Sequence, residues 1–256
     1  MDTVNVICIK WGTAYSAHDV NQLYRMVASN IHKHEVAFHC FTDDTAGLDQ
    51  SIRTHPLPVM NCPPEKVKYV YRKEVGLCDD NLGDLNGQRV LFFDLDIILT
   101  GPIDDFFILP KNDEFYIIND WCTKGDHVGQ ATCYSWKVGT LGFAKEYFEA
   151  HPEETLKRFH TASQEYLSSK VIEKWGKLNF WPEEWCRSFK EHALPVWYKR
   201  PFVPPTLPEG TRLLAFHGRP KAEDAIKGIW SPKGVPFIKR LYKTIKPAPW
   251  IADYLH

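Results

Sequence analysis

The sequence has no Cys-x-x-Cys pair, no signal-like leader, no apolar run of the ~18 residues a membrane span needs, and almost no net charge. Each absence closes off a class of function. The seven cysteines stand singly at 8, 40, 62, 78, 122, 133 and 186. A zinc site wants paired spacings, so these read as reduced, mostly buried thiols. A net charge of −1 offers no basic face to nucleic acid, which is excluded as a main partner. Residues 1–12 lack a basic n-region and an h-region, so the expected location is the cytoplasm. No repeat, long linker or low-complexity tract is present. The 256 residues are therefore expected to form a single domain, 1–256.

Apolar residues make up 44% of the chain, enough for one large core, and nine residues are Trp. Residues 4–11 are a mostly apolar run, the pattern of a strand covered on both faces. Ser16 and Asp19 have capping-box spacing, and Val20, Leu23, Val27 and Ile31 then recur at helical intervals. Residues 36–44 read as a second strand. This order predicts an α/β fold with a parallel sheet and crossover helices. Residues 45–66 look like a proline-bearing loop and 67–77 like a helix. Residues 114–120, 132–139 and 212–221 read as further strands. Helices are expected over 144–159 and 163–175, and a helical tail over 223–256.

The segment VLFFDLDIILTG, residues 90–101, sets two carboxylates inside an apolar run. An ionised carboxylate left unpartnered in apolar surroundings is very costly. Asp94 and Asp96 must therefore emerge at a strand end or meet a cation. Two residues apart in an extended chain, they share one face, with Leu95 turned to the core. Oxygen donors so placed suit a hard divalent ion, Mn²⁺ or Mg²⁺, whose open positions phosphates commonly fill. The plain alternative is a pair of solvated strand-end acids.

Ligands of open α/β sheets bind at the carboxyl ends of the strands. Trp11, Gly12, Thr13 and Tyr15 follow the first run, Asp43 ends the second, and His217 and Gly218 follow the last. In FHGRPK, His217 can ligate Mn²⁺ and Lys221 can meet phosphate. Singly, each is an ordinary strand-end histidine or loop lysine.

Together, KWGTAY, CFTDD, RVLFFDLDIIL, SQEYL and AFHGRPK resemble the GT-A glycosyltransferases of the glycogenin and lipooligosaccharide-galactosyltransferase type, over about residues 4–222. The resemblance implies a GT-A, Rossmann-like mixed but mostly parallel sheet flanked by helices. It implies a nucleotide-binding half at 1–100 and a donor-sugar and acceptor half at 101–222. Asp94, Asp96 and His217 would hold Mn²⁺ or Mg²⁺, and Lys221 and Gly218 would lie at the diphosphate. Trp11, Gly12, Thr13, Tyr15 and Asp43 would border the base and ribose, with Leu95 between the two aspartates. Lys73 would be the basic donor-binding residue, with Lys68 and Arg72 close by. Asp120 would face the donor sugar, and Gln164 would lie near the anomeric carbon, these two in catalytic roles.

Two positions depart from that pattern. Ser163 stands where the family has Asp before the glutamine, and Gln130 stands where it has Asn. Both changes fall in the donor-sugar pocket. The resemblance implies sugar transfer from a nucleotide-sugar, UDP-linked or GDP-linked, to a glycan or lipid-linked hydroxyl. It also implies retention, by front-face displacement, with Glu165 as an alternative base or nucleophile. Two other functions stay open: a haloacid-dehalogenase-like phosphatase with Asp94 as nucleophile, and an inactive nucleotide- or carbohydrate-binding module. Trp175, Trp181, Trp185, Trp197 and Tyr198 read as an acceptor-side lobe or a packed mini-core. The basic tail, with Lys239, Arg240, Lys243 and Lys246 beside Phe237, Leu241 and Ile245, offers peripheral membrane contact or a helix packed on the domain.

Overall fold

A computed structural model describes residues 2–67, 71–123, 125, 127–240 and 242–255. The two leading apolar runs become strands β1 (Thr3–Lys10) and β2 (Glu35–Thr42), parallel and in register from Thr3 opposite Glu35 to Lys10 opposite Thr42. The last six residues of each are buried, as a doubly covered strand requires. Helix α1 (Ala17–Asn30) makes the crossover and buries Val20, Leu23, Met26 and Val27. Asp19 closes its N-terminus by accepting from the Ser16 amide at 2.6 Å.

Strand β3 (Arg53–His55) pairs parallel with β2 inside the stretch expected to be loop. Three residues are too few to show a period of two. The helix expected over 67–77 is α2 (Tyr71–Glu74) followed by a 3₁₀ turn at Gly76–Cys78; Lys68, Tyr69 and Val70 lie outside the described residues.

The segment with the two aspartates is two strands rather than one. β4 (Arg89–Phe93) joins the main sheet beside β1, and β5 (Ile97–Leu99) joins a second sheet. Next come α3 (Asp105–Ile108), β6 (Tyr116–Asn119) and β7 (Gly129–Lys137), whose start is earlier than the apolar pattern suggests. The helical pattern at 144–159 is two helices, α4 (Gly142–Ala150) and α5 (Pro152–Phe159), because Pro152 has no amide hydrogen to continue the first. α6 (Ser163–Trp175) has the expected limits. Strands β8 (Asn179–Phe180), β9 (Cys186–Ser188) and β10 (Leu213–Ala215) follow, then α7 (Ala222–Ile226) and α8 (Phe237–Arg240). The tail is thus broken into short pieces, ending in a 3₁₀ turn at Pro249–Tyr254. Leu241 and the side chain of Phe237 lie outside the described residues.

The main sheet runs β3-β2-β1-β4-β7-β6-β8, with β7 antiparallel to both neighbours and the other pairs parallel. Alternation along the strands divides the core. Val6, Cys8, Phe38 and Leu91 pack with α1 on one face; Ile7, Ile9, Phe92 and Trp136 pack with Ala144 of α4 and Leu167 of α6 on the other. The structure is therefore a mixed, mostly parallel α/β sheet flanked by helices. The small sheet, β5-β10-β9, extends the first of these cores. Among the described residues no helix is long and apolar enough to cross a membrane.

Candidate active site

Register, rather than sequence proximity, assembles the site. β1 and β4 are parallel, so their carboxyl ends reach one sheet edge. In the small sheet, Ala215 of β10 stands opposite Ile97 of β5 and opposite Ser188 of β9. The Phe216 amide then donates to the Asp96 carbonyl at 2.9 Å. Three chain segments therefore meet there: the aspartate turn, the segment leaving β9, and the loop from His217 to Lys221. Nearby, the Gly12 amide donates to Asp43 Oδ2 at 3.1 Å. Gly12 has φ +60 in this turn, a conformation that costs glycine nothing. Trp11 and Tyr15 are half-buried on either side of the exposed Gly12 and Thr13.

Each aspartate meets a lysine. Lys73 Nζ lies 2.8 Å from Asp94 Oδ2, and Lys221 Nζ lies 2.7 Å from Asp96 Oδ2. Lys73 also pairs with Glu74 at 3.1 Å, and Lys221 donates to the Tyr15 hydroxyl at 3.3 Å. Burial pushes the Asp94 carboxyl up to about 7; Lys73 opposes the rise and Asp96 adds to it. Burial also works against the charge on Lys73, but Asp94 and Glu74 outweigh it and hold the ammonium above the ordinary lysine range. The sequence puzzle is thus resolved by lysines: the acids leave the greasy run and find cations. A groove of about 220 Å³ runs past Tyr15, Leu95, Asp96, Arg219 and Lys221, with Leu255 also in its wall. Leu95 both lines this groove and packs against the core.

His217 is engaged on another side. Its Nε2 lies 2.9 Å from Ser188 Oγ, and its ring stacks on Trp121 at 5.8 Å. Burial lowers its pKa, and Lys190 lowers it further. Asp120 accepts from the Cys122 amide at 3.3 Å in a local turn. Gln130 Oε1 accepts from the Thr132 amide at 2.8 Å, and Gln164 Oε1 from the Ala131 amide at 3.4 Å. Both glutamine oxygens are therefore spent on β7. Ser163 donates to Glu74, and Glu165 is exposed.

The donor set bears on a metal as follows. Oδ2 of each aspartate is taken by a lysine, which leaves Oδ1 of each, hard oxygens that suit Mn²⁺ or Mg²⁺. Among the described residues no three His, Cys, Asp or Glu side chains converge to hold an ion. Asp94 and Asp96 fit such an ion as two of its ligands, while the His217 nitrogen is engaged with Ser188.

Sequence reasoning passed over Ser188, Lys190 and Glu74. The first two sit in CRSFKEH, inside the segment read as an acceptor-side lobe. Of the tryptophans in that segment, Trp181 is core, and Trp185 packs against Phe106 and Arg212. Trp197 and Tyr198 are about half exposed, at 49% and 56%. A separate cavity of about 270 Å³, at Phe115, Trp175 and Asn179, shares no residue with the site.

No protein-family model and no curated protein matches the sequence. The fold, however, has a solved counterpart. The crystal structure of the galactosyltransferase LgtC, in complex with donor and acceptor sugar analogs, matches with a TM-score of 0.58 at 10% identity. The match covers 93% of this chain and 99% of that one. Such low identity speaks for fold alone, and the fold of this chain is the GT-A fold of that structure.

Proposed function

We propose that this chain is a glycosyltransferase. It moves a sugar from a nucleotide diphosphate-sugar, UDP-linked by first preference and GDP-linked by second, to a hydroxyl of a glycan or lipid-linked acceptor. The observation that carries this reading is the double lysine–aspartate contact, Lys73–Asp94 and Lys221–Asp96, at the carboxyl edge of a sheet that shares its fold with LgtC.

Cleaving a nucleotide-sugar builds negative charge on the departing β-phosphate. Lys221 meets that charge, and Tyr15 and Arg219 line the approach. Gly12, Thr13 and Trp11 border the base and ribose, with Asp43 holding the turn through Gly12. Asp94 and Asp96, through Oδ1, would hold a divalent ion, with His217 as a third ligand once it leaves Ser188. When bound, such an ion supplies Lewis-acid stabilisation of the diphosphate. Asp120 and Gln164 face the donor sugar. With Glu165 exposed on α6, front-face displacement with retention is preferred to a covalent intermediate. The basic tail, with Lys239, Arg240 and Lys243, would suit the anionic headgroups that a lipid-linked acceptor brings.

The test is nucleotide release from a panel of UDP- and GDP-sugars, with and without Mn²⁺. Release that needs Mn²⁺ and is abolished by Asp96→Ala supports the transferase. One observation favours a second reading, a binding module without turnover: the side-chain oxygens of Gln130 and Gln164 are already occupied. Binding without release, with acceptors supplied, would establish it. Phosphate release from simple phosphomonoesters, lost in Asp94→Asn, would instead return the phosphatase.

A further inference from the structure

We infer that Lys190 is a diphosphate-binding residue, a cation beside this site that forms no ion pair among the described residues. The inference deepens the nucleotide-sugar reading and rests on it.

Lys190 leaves the end of β9, two residues after Ser188. The pairing of β9 with β10 carries it back to the loop after β10, although 27 residues of chain lie between it and Gly218. A Cβ placed on Gly218 would lie 3.5 Å from Lys190 Nζ, so the ammonium rests against the backbone of the HGRPK loop. Gly218 has φ +73, a backbone conformation that favours glycine in this loop. His217 precedes this glycine, and its Nε2 holds Ser188 Oγ, which fixes the two segments together.

The state of Lys190 differs from that of the other two lysines. Lys73 and Lys221 are each spent on an aspartate. Lys190 is half-buried, and among the described residues it makes no hydrogen bond and no ion pair. Glu191 is exposed and its charge acts on Lys190, but among the described residues its carboxylate makes no ion pair. Asp96 lies within electrostatic reach of Lys190 but does not touch it. A half-buried ammonium without a partner is unfavourable, and an anion that bridges to it removes the penalty.

Charge bookkeeping gives the anion its class. Above pH 7, where Asp94 is ionised, Asp94, Asp96 and Glu74 set three negative charges against Lys73 and Lys221, so the inner cluster repels a phosphate. Lys190 supplies positive charge on the HGRPK side, where no carboxylate among the described residues is in contact with it. A diphosphate lying along that loop reaches Lys190 and Lys221 together. A neutral sugar or a nucleoside would leave Lys190 as it is.

The test is calorimetric binding of UDP and GDP to the full chain, each compared with its bare nucleoside. Lys190→Met keeps the packing of the stem and removes the charge; Lys190→Gln is a second neutral variant, and Lys190→Arg restores charge. Melting midpoints confirm folding. Lys177→Gln, in the separate cavity by Trp175, is the control for general loss of positive charge. The expected result is roughly 10- to 100-fold weaker diphosphate binding in both neutral variants, the size of a lost charge-assisted contact. Nucleoside affinity stays unchanged, and Arg recovers most of the loss. Diphosphate binding that survives Lys190→Met and Lys190→Gln as well as it survives Lys177→Gln overturns the role of Lys190 and leaves the nucleotide-sugar reading intact. A wild-type chain that binds neither diphosphate overturns both.

Discussion

Ser163 Oγ donates to Glu74 Oε2 at 3.0 Å, while the other oxygen of Glu74 pairs with Lys73. Both residues are buried, at 3% and 4% exposure. The start of α6 is thereby wired through Glu74 and Lys73 to Asp94. This accounts for the serine where the GT-A resemblance leads one to expect an aspartate. A carboxylate at 163 would face the buried carboxylate of Glu74, and one of the two would have to take a proton. Ser163→Asp is therefore expected to destabilise the fold by about 3 kcal/mol or more, despite its favourable place at a helix N-terminus. Adding Glu74→Gln should recover most of that loss. Urea denaturation of the single and double variants measures it; equal losses in the two would remove the argument.

Lys73 stands between two carboxylates, Asp94 and Glu74, with its side chain only 17% exposed. Its removal leaves the buried Glu74 and the partly buried Asp94 without that cation, and breaking a buried pair typically costs about 3–5 kcal/mol. Lys73→Met should fall in that range. Asp94→Asn combined with Lys73→Met should cost less than the sum of the two, because the double variant strands one fewer charge. A double-mutant cycle on unfolding free energy reads the coupling, and additive losses would show that the contact contributes nothing.

Asp96 competes with phosphate for Lys221. Without divalent ions, Asp96→Asn should therefore tighten UDP binding, even as it abolishes turnover. A unit charge at contact distance in water is worth about 1 kcal/mol, which corresponds to a gain of roughly fivefold. With Mn²⁺ present, the order should reverse, since the wild type then has its carboxylate available to the ion. Isothermal titration with and without chelator decides; a variant weaker than wild type in chelator contradicts the competition.

The parts of this molecule readable from sequence are those with enough length to show a period. β1, α1, β2 and α6 span 8 to 14 residues, and their burial follows the pattern of the letters. Of the strands of two or three residues, β3, β8 and β9 carry no period, while β10 is readable only as part of the longer stretch 212–221. The split of the aspartate segment was hidden for the same reason. Nothing in VLFFDLDIIL says that Ile97 will pair with Ala215 rather than continue beside β1. Lys221 could be read because proline and glycine mark its loop. Lys190 could not, because its place depends on a three-residue register between β9 and β10. Glu74 was likewise one letter in a helical stretch until its two oxygens met Lys73 and Ser163.

His39 gives the fold a pH dependence whose sign can be worked out. Asn5 Nδ2 donates to Gln88 at 3.0 Å, which orients its amide so that Asn5 Oδ1 faces His39 Nε2 at 3.3 Å. Nε2 therefore carries the hydrogen, and His39 Nδ1 accepts from His55 Nε2 at 2.9 Å. Protonating Nδ1 would set two donors against each other inside the sheet. Burial lowers the His39 pKa to about 4, helped by His55 and Arg53. Unfolded, the ring titrates near its ordinary value of about 6.5. Between the two values the unfolded chain binds the extra proton, so stability from this group is intact above about pH 6.5 and falls until about pH 4. The full loss is at most about 3 kcal/mol. Asp94 works in the opposite sense: its carboxyl is raised to about 7, so the folded chain holds the extra proton below that pH and its contribution grows as pH falls. The His39 effect must therefore be read as a difference. Urea midpoints of wild type and His39→Gln, compared at pH 7.5 and pH 5, should diverge, with the wild type losing more on acidification. Parallel losses in the two proteins would mean that His39 takes up its proton in the folded sheet as readily as in the open chain.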